Sequence, residues 1–357
     1  MSRFHRKLLW LSCAWGRNNI AASRVSAKGD WKKLIPGLAV SLVCLVVIFY
    51  LIDLDKFVQV MRQARLWVLV AGGLLSLPWL LVRAAVWRTL LRRKAAYRDV
   101  FLTINEGYLL NNLLPFRLGE VGRVYLLGRK TGLGFWQVLP TILVERALDL
   151  MLASGLFLSM LLFVVGVSWA QQAALVTAII VAAGLLALYL VARNQPLILR
   201  LLQRLAQGGK LGQKLAGRQA YAFLDGLAVL TDTPGFLTAV ALIVLNWAIN
   251  ICQYYVILLA FFPDARLLWA AFALGAAALG IAAPSSPGAL GVFEAVLVGA
   301  LAAFGVEPSG AAAFAISLHF IQYVATGVFG VYALVMDGMS LGGLYRELGQ
   351  IRHEGTS

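Results

Sequence analysis

Charged residues are scarce in this chain, and their scarcity excludes the largest class of folds. Asp, Glu, Lys and Arg make up 13% of the 357 residues, while hydrophobic residues make up 61% and the mean hydropathy is +0.82. Soluble domains carry about a quarter of their residues as charged side chains. The polar and apolar alternation of outer-membrane barrel strands is also missing, and Leu and Ala dominate the apolar segments. We therefore predict an all-α polytopic integral membrane protein.

The residues that usually carry metal, redox and acyl-transfer chemistry are few. Only three cysteines occur, and Cys13, Cys44 and Cys252 are too scattered to indicate a disulfide framework or a metal site. The sequence lacks a GxSxG motif, a Walker A motif and a histidine pair at metal-ligand spacing. A glycine-rich stretch at residues 128–134 does not end in Gly-Lys-Ser/Thr. We expect no cofactor and no metal, and we interpret the chain as a non-enzyme.

Acidic residues are also few, which gives the chain a formal net charge of +15 from 31 Lys and Arg against 16 Asp and Glu. A balance of this size is typical of nucleic-acid binding, but here the basic residues cluster at residues 3–33, 88–98 and 193–218, next to apolar segments. The positive-inside rule makes these regions cytoplasmic, together with both termini. Almost no basic residues occur in the joints at residues 166–172, 262–266 and 305–310, which we place outside. We expect a bacterial cytoplasmic membrane location and no nucleic-acid partner.

Six segments are apolar and long enough to cross a bilayer, which takes roughly 20 helical residues. They are residues 34–52, 66–90, 138–165, 172–191, 236–262 and 311–335. Residues 66–90 are interrupted by Pro78. The predicted domains are a basic cytoplasmic segment at 1–33, a transmembrane domain at 34–338 with a cytoplasmic linker at 193–234, and a cytoplasmic tail at 339–357.

Two further segments, residues 99–135 and 266–304, consist of apolar pieces that are too short or too polar to cross. The first is broken around Pro115, and the second around Pro284, Pro287 and Gly288. A proline inside a membrane helix frees carbonyl groups that lipid cannot satisfy, so such backbone persists only where protein or water surrounds it. We predict two re-entrant hairpins, the first entering from the cytoplasm and the second from outside.

The two broken segments share a local pattern that suggests an internal repeat. Pro115 is followed four residues later by Gly119 and then by Glu120, while Pro287 is followed four residues later by Gly291 and then by Glu294. Each hairpin also lies between two spans, and the two triplets begin on opposite sides. This is the pattern of an inverted repeat, and it predicts a site between the hairpins near the midplane.

The candidate site residues fall into two groups. Half-helix starts point unpaired N–H groups and a positive dipole end at the cavity, which suits a phosphate or carboxylate, and arginine adds a bidentate donor. The predicted substrate contacts are Arg117, Arg123, Asn112, Gly119, Pro287 and Gly288. The predicted gating and charge network is Glu120, Glu145, Arg146, Asp149 and Glu294.

Structural interpretations of these residues stay open beside the functional ones. Arg117 at the interface would bind lipid phosphate non-specifically, and Glu120 and Arg123 are spaced to pair with each other. The charged residues at 145–149 would hold the first hairpin as an ion cluster. Glu294 has no basic neighbour in sequence, so it must find a distant arginine, stay protonated or relay protons. His319 is either a second relay or a hydrogen-bonded core histidine.

Three ordered motifs carry a resemblance to a known family. They are Asn112 to Arg123 (NLLPFRLGEVGR), Val144 to Asp149 (VERALD) and Pro284 to Glu294 (PSSPGALGVFE). Together they resemble the lysylphosphatidylglycerol synthetase transmembrane-region family over nearly all of the chain after residue 30. The late motif has Ala289 where a second glycine is common.

The resemblance implies a flippase-like membrane region that moves aminoacylated phosphatidylglycerol or a related lipid between leaflets. Members that make the modified lipid carry a soluble aminoacyl-transfer domain after this region, whereas this chain ends at Ser357 after a short polar tail. It is therefore expected to be a stand-alone member, similar to proteins associated with hopanoids and polyisoprenoid-linked sugars.

We predict a flippase for a lipid with an anionic head group, working by alternating access, with enzymes of envelope-lipid biosynthesis as partners. Two alternatives remain: a membrane-embedded lipid-modifying transferase that uses Glu120, Glu145 or Asp149 as a base, and a non-transporting scaffold of envelope biogenesis.

Overall fold

The computed structural model describes residues 31–114, 117–161, 168–207, 217–282 and 286–338. The chain divides into two units, residues 1–35 and residues 36–357. Of the first unit the structure describes only the helical backbone of residues 31–35, and all other described residues belong to the second unit. The predicted N-terminal segment up to residue 30, the centre of the first break at residues 115–116 and the predicted tail lie outside the described residues.

The described residues form helices joined by short turns, with no strand among them. The helices are α1 (Trp31–Leu51), α2 (Leu54–Gln63), α3 (Leu66–Leu74), α4 (Ser76–Leu90), α5 (Tyr97–Leu113), α6 (Leu118–Thr131), α7 (Phe135–Leu161), α8 (Ser168–Arg193), α9 (Gln195–Gln207), α10 (Arg218–Gly226), α11 (Thr233–Phe261), α12 (Leu267–Gly280), α13 (Val292–Ala302) and α14 (Pro308–Met336). Each predicted span coincides with a helix or, for residues 66–90, with the consecutive pair α3 and α4.

Four helical segments are long and apolar enough to cross a membrane: Leu66–Leu90, Leu175–Arg193, Thr233–Phe261 and Pro308–Met336. The predicted span α7 is 27 residues long, but three charged residues in its middle lower its apolar character. The prediction of an all-α polytopic membrane protein is confirmed.

The break in residues 66–90 falls at Leu75, three residues before Pro78. Proline has no N–H to donate, and its ring clashes with the carbonyl four residues earlier, so the helix is disrupted on the N-terminal side of the proline. Gln253 of α11 bridges this break, because its side-chain amide donates to the Gly72 carbonyl at 3.2 Å and to the Ser76 hydroxyl at 2.7 Å. The amide thus satisfies backbone that lipid would leave unpaired.

Helices α5 and α6 form the first hairpin, and α12 and α13 form the second, with the two helices of each hairpin packed together. At 1.5 Å per residue these helices are about 16 to 26 Å long, shorter than the roughly 30 Å of a hydrocarbon core. Their lengths therefore fit the predicted re-entrant segments. The side of the membrane from which each hairpin enters stays a prediction.

The packing between the two halves of the chain is reciprocal. Helix α4 packs along α11, α5 packs along α14, and α12 packs along α7. In chain order, α4, α5, α6 and α7 of the first half correspond to α11, α12, α13 and α14 of the second. The contact of α5 with α14 therefore corresponds to the contact of α12 with α7, and the contact of α4 with α11 corresponds to itself. Within the halves, α6 packs on α7 as α13 packs on α14. This pattern is the one expected of the predicted inverted repeat.

Both helix breaks use left-handed backbone. Arg117, which precedes α6, has a φ of 52°, although a side chain makes this conformation unfavourable by about 1–2 kcal/mol. In the second break, Gly288, Ala289 and Gly291 have φ values of 61°, 60° and 82°. The left-handed conformation of Ala289 gives a physical reason why glycine suits that position.

The first hairpin is closed by a contact between Gly107 and Gly119. A Cβ atom on Gly119 would lie 2.0 Å from the carbonyl oxygen of Gly107 and 2.8 Å from the backbone nitrogen of Asn111. Small residues at this crossing let two membrane helices approach closely.

Gly119→Ala is expected to separate α5 from α6 and to cost about 1–3 kcal/mol, as overpacking does elsewhere. The matched control is Gly299→Ala, because Gly299 of α13 has no atom within 4 Å of an added Cβ and alanine favours the helix. Thermal unfolding in detergent should show a lower midpoint for Gly119→Ala and an equal or higher one for Gly299→Ala. Equal midpoints for both variants would contradict the close crossing.

Candidate functional site

Seven charged side chains form one cluster among otherwise apolar helices. Helix α4 contributes Arg83, the start of α6 contributes Arg117, Glu120 and Arg123, and α7 contributes Glu145, Arg146 and Asp149. The predicted network residues on α6 and α7 therefore do come together, and we call this set the ion cluster.

Glu145 lies at the centre of the ion cluster and is fully buried. One of its oxygens, Oε1, accepts hydrogen bonds from three arginines: from Arg83 at 2.5 Å, from Arg146 at 2.7 Å and from Arg123 at 3.1 Å. Its second oxygen is buried and has no hydrogen-bond partner in the described part of the chain. A lone carboxylate here would be very unfavourable, so the arginines are what allows it to be ionised.

Asp149 is the second acceptor and lies one helical turn after Glu145 on the same face of α7. The two carboxylates together hold Arg83, whose guanidinium donates to the two Asp149 oxygens at 3.0 and 2.5 Å. Arg146 approaches Asp149 at 2.8 Å, and the indole N–H of Trp247 donates to it at 3.1 Å. Because Trp247 belongs to α11, the second half of the chain also contacts the ion cluster.

The Trp87 side chain positions Arg123. The guanidinium of Arg123 lies 4.9 Å from the centre of the Trp87 ring, a cation–π distance, and the indole N–H of Trp87 donates to Thr141 at 3.0 Å. Trp87 follows Arg83 by four residues, so one face of α4 presents both side chains to α6 and α7.

Exposure increases along the cluster toward the start of α6. The side chain of Glu145 is 0% exposed, those of Glu120 and Arg146 are 21% and 28% exposed, and that of Arg117 is 41% exposed. The ion pairs lengthen in the same direction, with Arg146 at 3.6 Å and Arg117 at 3.7 Å from Glu120. The outer pairs are therefore the ones that an incoming anion can replace most easily.

Positive charge is in excess in the ion cluster, because four arginines face three carboxylates. Arg123 is 3% exposed, yet its Nε and Nη1 atoms have no hydrogen-bond partner among the described residues. Buried donors of this kind require water or a ligand. The cluster thus has both the charge and the free donors to accept a phosphate or carboxylate.

A second polar group lies at the break of the second hairpin. Glu294, in the first turn of α13, is 6% exposed and approaches Nδ1 of His319 at 2.5 Å, while its other oxygen accepts from the Gly291 N–H at 2.7 Å. Nε2 of His319 lies 3.0 Å from the carbonyl oxygen of Gly288. The distant partner expected for Glu294 is thus a histidine of α14 rather than an arginine.

The two hairpins contact each other, because α5 packs against the turn at residues 287–289. Asn112, near the end of α5, donates to the Thr326 hydroxyl of α14 at 2.9 Å. Gly288 lies directly under Tyr323 of α14, since a Cβ added to it would lie 1.4 Å from the phenol oxygen. The predicted substrate residues Asn112, Gly119 and Gly288 therefore make contacts within the protein, and their role in binding a substrate stays a prediction.

Three further residues were not among the sequence-based candidates. Arg83 is visible in the sequence as an arginine inside a span, which is a signal of function in membrane proteins. Trp247 and Trp87 carry no local signal, because their partners lie on other helices.

A third polar group joins the first hairpin to the end of α14. Lys130 of α6 pairs with Asp337 and approaches the fully buried Glu106 of α5 at 3.8 Å. Partial burial alone would raise the pKa of Asp337, but hydrogen bonds with Glu106 and Lys130 outweigh it, so this pKa is lowered.

Comparison with known proteins gives consistent matches. A family model described as the lysylphosphatidylglycerol synthase TM region matches residues 34–330. A UPF0104 membrane protein of Methanocaldococcus jannaschii is 21% identical over 326 residues, which cover 84% of this chain and 93% of the relative. A UPF0104 membrane protein of Methanothermobacter thermautotrophicus is 26% identical over 259 residues, which cover 68% of this chain and 77% of the relative. No solved structure matches the chain.

Removing Arg83 tests the strength of the ion cluster. Arg83→Met leaves two carboxylates of α7 with fewer partners in a buried site, and we expect it to cost about 3–5 kcal/mol. The control is Lys94→Met, which breaks the more exposed pair with Asp225 and should cost at most about 1 kcal/mol.

Unfolding in detergent measures both variants, and the double variant Arg83→Met with Asp149→Leu should recover part of the loss because fewer charges are left unpaired. A loss for Arg83→Met no larger than that for Lys94→Met would contradict the central place of Arg83.

Proposed function

Because the chain belongs to the lysylphosphatidylglycerol synthase transmembrane-region family, we propose that it moves a lipid with an anionic head group between the leaflets of the cytoplasmic membrane. The observation that carries this proposal is the arginine-rich ion cluster, which leads from the half-exposed Arg117 to the buried Glu145. In the proposed orientation both termini are cytoplasmic, and Arg117 receives the head group from that side.

A charged head group that leaves water must exchange its hydration for other partners. The guanidinium groups of the ion cluster supply such partners, because an arginine fork matches the oxygens of a phosphate. Leu118 and Val121, exposed on the outside of α6, flank Arg117 and Glu120. Acyl or isoprenoid chains can therefore stay in the hydrocarbon region while the head group moves along the cluster.

The graded ion pairs suggest how the head group advances. An anion at Arg117 competes with Glu120, which holds Arg117 and Arg146 only at 3.7 and 3.6 Å. The Nη1 atom of Arg146 then becomes available, while its Nη2 atom stays paired with Glu145 and Asp149. The unpartnered donors of Arg123 belong to the same cluster. The bonds between Arg83 and α7 are shorter and more buried, so they hold the helices together during this exchange.

The contacts of Asp149 disfavour its use as the base of a transferase. A general base needs a free lone pair within reach of the proton that it removes. Both oxygens of Asp149 instead accept hydrogen bonds from arginine or tryptophan side chains, whereas Oε2 of Glu145 has no such partner among the described residues.

The proposal predicts faster movement of anionic lipids in proteoliposomes. Fluorescent phosphatidylglycerol and a fluorescent polyisoprenyl phosphate should lose their inner-leaflet protection from an external quencher faster than in protein-free liposomes, and phosphatidylcholine should respond less. No acceleration for any of these probes would overturn the translocase and leave the scaffold alternative.

Arg117→Gln should slow the anionic probes by roughly 10- to 100-fold, the effect of losing one charge-assisted hydrogen bond worth about 1.5–3 kcal/mol. Arg93→Gln is the matched control, because Arg93 is also an exposed arginine with left-handed backbone, at a φ of 57°. Equal rates for the two variants would remove Arg117 from the lipid path.

A further inference from the structure

We infer that Glu294 and His319 form a binding site for a single proton, and that this proton holds the second hairpin against α14. The inference rests on the proposed function in one respect, since it makes the proton a co-substrate of lipid movement. The geometry of the pair carries it.

The tautomer of His319 follows from its contact with Gly288. A carbonyl oxygen can only accept a hydrogen bond, so Nε2 of His319, at 3.0 Å from the Gly288 oxygen, must carry a hydrogen. The other ring nitrogen, Nδ1, faces Oε1 of Glu294 at 2.5 Å. Two potential acceptors in hydrogen-bond contact require one hydrogen between them.

That hydrogen cannot lie on the second oxygen of Glu294. Oε2 accepts the backbone N–H of Gly291 at 2.7 Å. The shared proton is therefore placed between Oε1 and Nδ1, either as an imidazolium beside a carboxylate or as a neutral imidazole beside a carboxylic acid. Both forms hold the same number of protons and have no net charge, which suits a buried site.

The proton count decides whether the hairpin stays docked. If the proton leaves, two lone pairs face each other at 2.5 Å and a buried negative charge remains; if a second proton is added, a buried positive charge remains. Either change weakens the contact between α13 and α14. The same histidine also holds the Gly288 carbonyl, so its displacement releases the turn at residues 287–289 as well.

The turn is suited to such movement. Gly288, Ala289 and Gly291 all have left-handed backbone, which the contacts with α14 must hold in place. Ser41 of α1 also holds the turn, because its hydroxyl accepts the Ser286 N–H at 3.1 Å. When the turn leaves α14, water reaches Glu294 and accepts the proton.

Other ionisable groups surround the pair without replacing its contacts. The ring of Tyr323 of α14 lies tilted against the His319 ring, with 4.7 Å between the ring centres. Helices packed against α13, α14 or the turn carry Asp55, Lys56, Arg62, Arg83, Arg88, Tyr97, Arg98, Asp99, Glu106, Tyr108, Cys252, Tyr254 and Tyr255. Helix α1, which contacts the turn through Ser41, carries Cys44 and Tyr50. Within the described residues, the ion pair of Glu294 is with His319.

The proton site also lies next to the first hairpin. Helix α5 packs both on the turn at residues 287–289 and along α14. Undocking of the turn therefore alters a surface that the first hairpin contacts. Movement of an anion along the ion cluster and release of one proton at the second hairpin are coupled through this contact.

Chemical labelling of the turn tests the proton site without a transport assay. In a variant whose native cysteines are replaced by serine, Ser286→Cys is labelled with a membrane-impermeant maleimide at a series of pH values from about 5 to about 9. The rates are normalised to Ala303→Cys, an exposed position after α13, to remove the pH dependence of the thiol itself. We expect normalised labelling of Ser286→Cys to rise at least tenfold as the proton is lost.

Glu294→Gln keeps the hairpin docked, because the amide N–H can donate to Nδ1 and the amide oxygen can accept from Gly291. Labelling should then stay slow at every pH. The matched control is Glu307→Gln at the exposed N-cap of α14, which should keep the wild-type response.

A wild-type rate that does not change with pH, or the same pH response in Glu294→Gln, would overturn the proton site. The wild-type result decides the matter even if the variant does not fold. If labelling does not depend on pH but the protein still moves lipid in proteoliposomes, only the proton site is rejected. If labelling changes with pH as expected but no lipid moves, only the translocase is rejected.

Discussion

The buried carboxylate of Glu145 is the constraint on which the rest of the first half depends. A charge inside a membrane helix is tolerated only with close partners, and Glu145 takes Arg83, Arg123 and Arg146 from three places in the chain. These bonds fix α4 and α6 against α7, and therefore fix the position of the first hairpin. The same bonds create an arginine-rich cluster that reaches the half-exposed Arg117.

The two hairpins share an architecture but differ in chemistry. Both have left-handed residues at the break, and both pack reciprocally on the opposite half of the chain. The first carries an excess of arginine, whereas the second holds a neutral pair, Glu294 and His319. In the proposed mechanism the anion site belongs to the first hairpin and the proton site to the second, and α5 joins them by packing against the turn at residues 287–289.

The sequence predicted the long apolar helices and the two pairs of shorter helices, because run length and proline position are local signals. It did not predict that Arg83 joins Glu145 over a separation of 62 residues, or that His319 meets Glu294 over 25, because only packing brings those helices together. The exact position of the helix break at Leu75 and the left-handed conformation of Arg117 are also visible only in the backbone of the structure. The contact of Gly119 with Gly107 shows that one glycine of the motif closes the hairpin, a role that spacing alone does not distinguish from substrate contact.

The most direct measurement is capture of a lipid head group beside Arg117. A photoreactive amino acid at Leu118 should cross-link phosphatidylglycerol labelled in its head group roughly tenfold more than phosphatidylcholine, since one charge-assisted contact contributes about 1.5–3 kcal/mol, and Arg117→Gln should abolish the preference. The same probe at Ile179, exposed on α8, should show no preference. Equal capture of both lipids at Leu118 would contradict an anionic lipid path through the ion cluster.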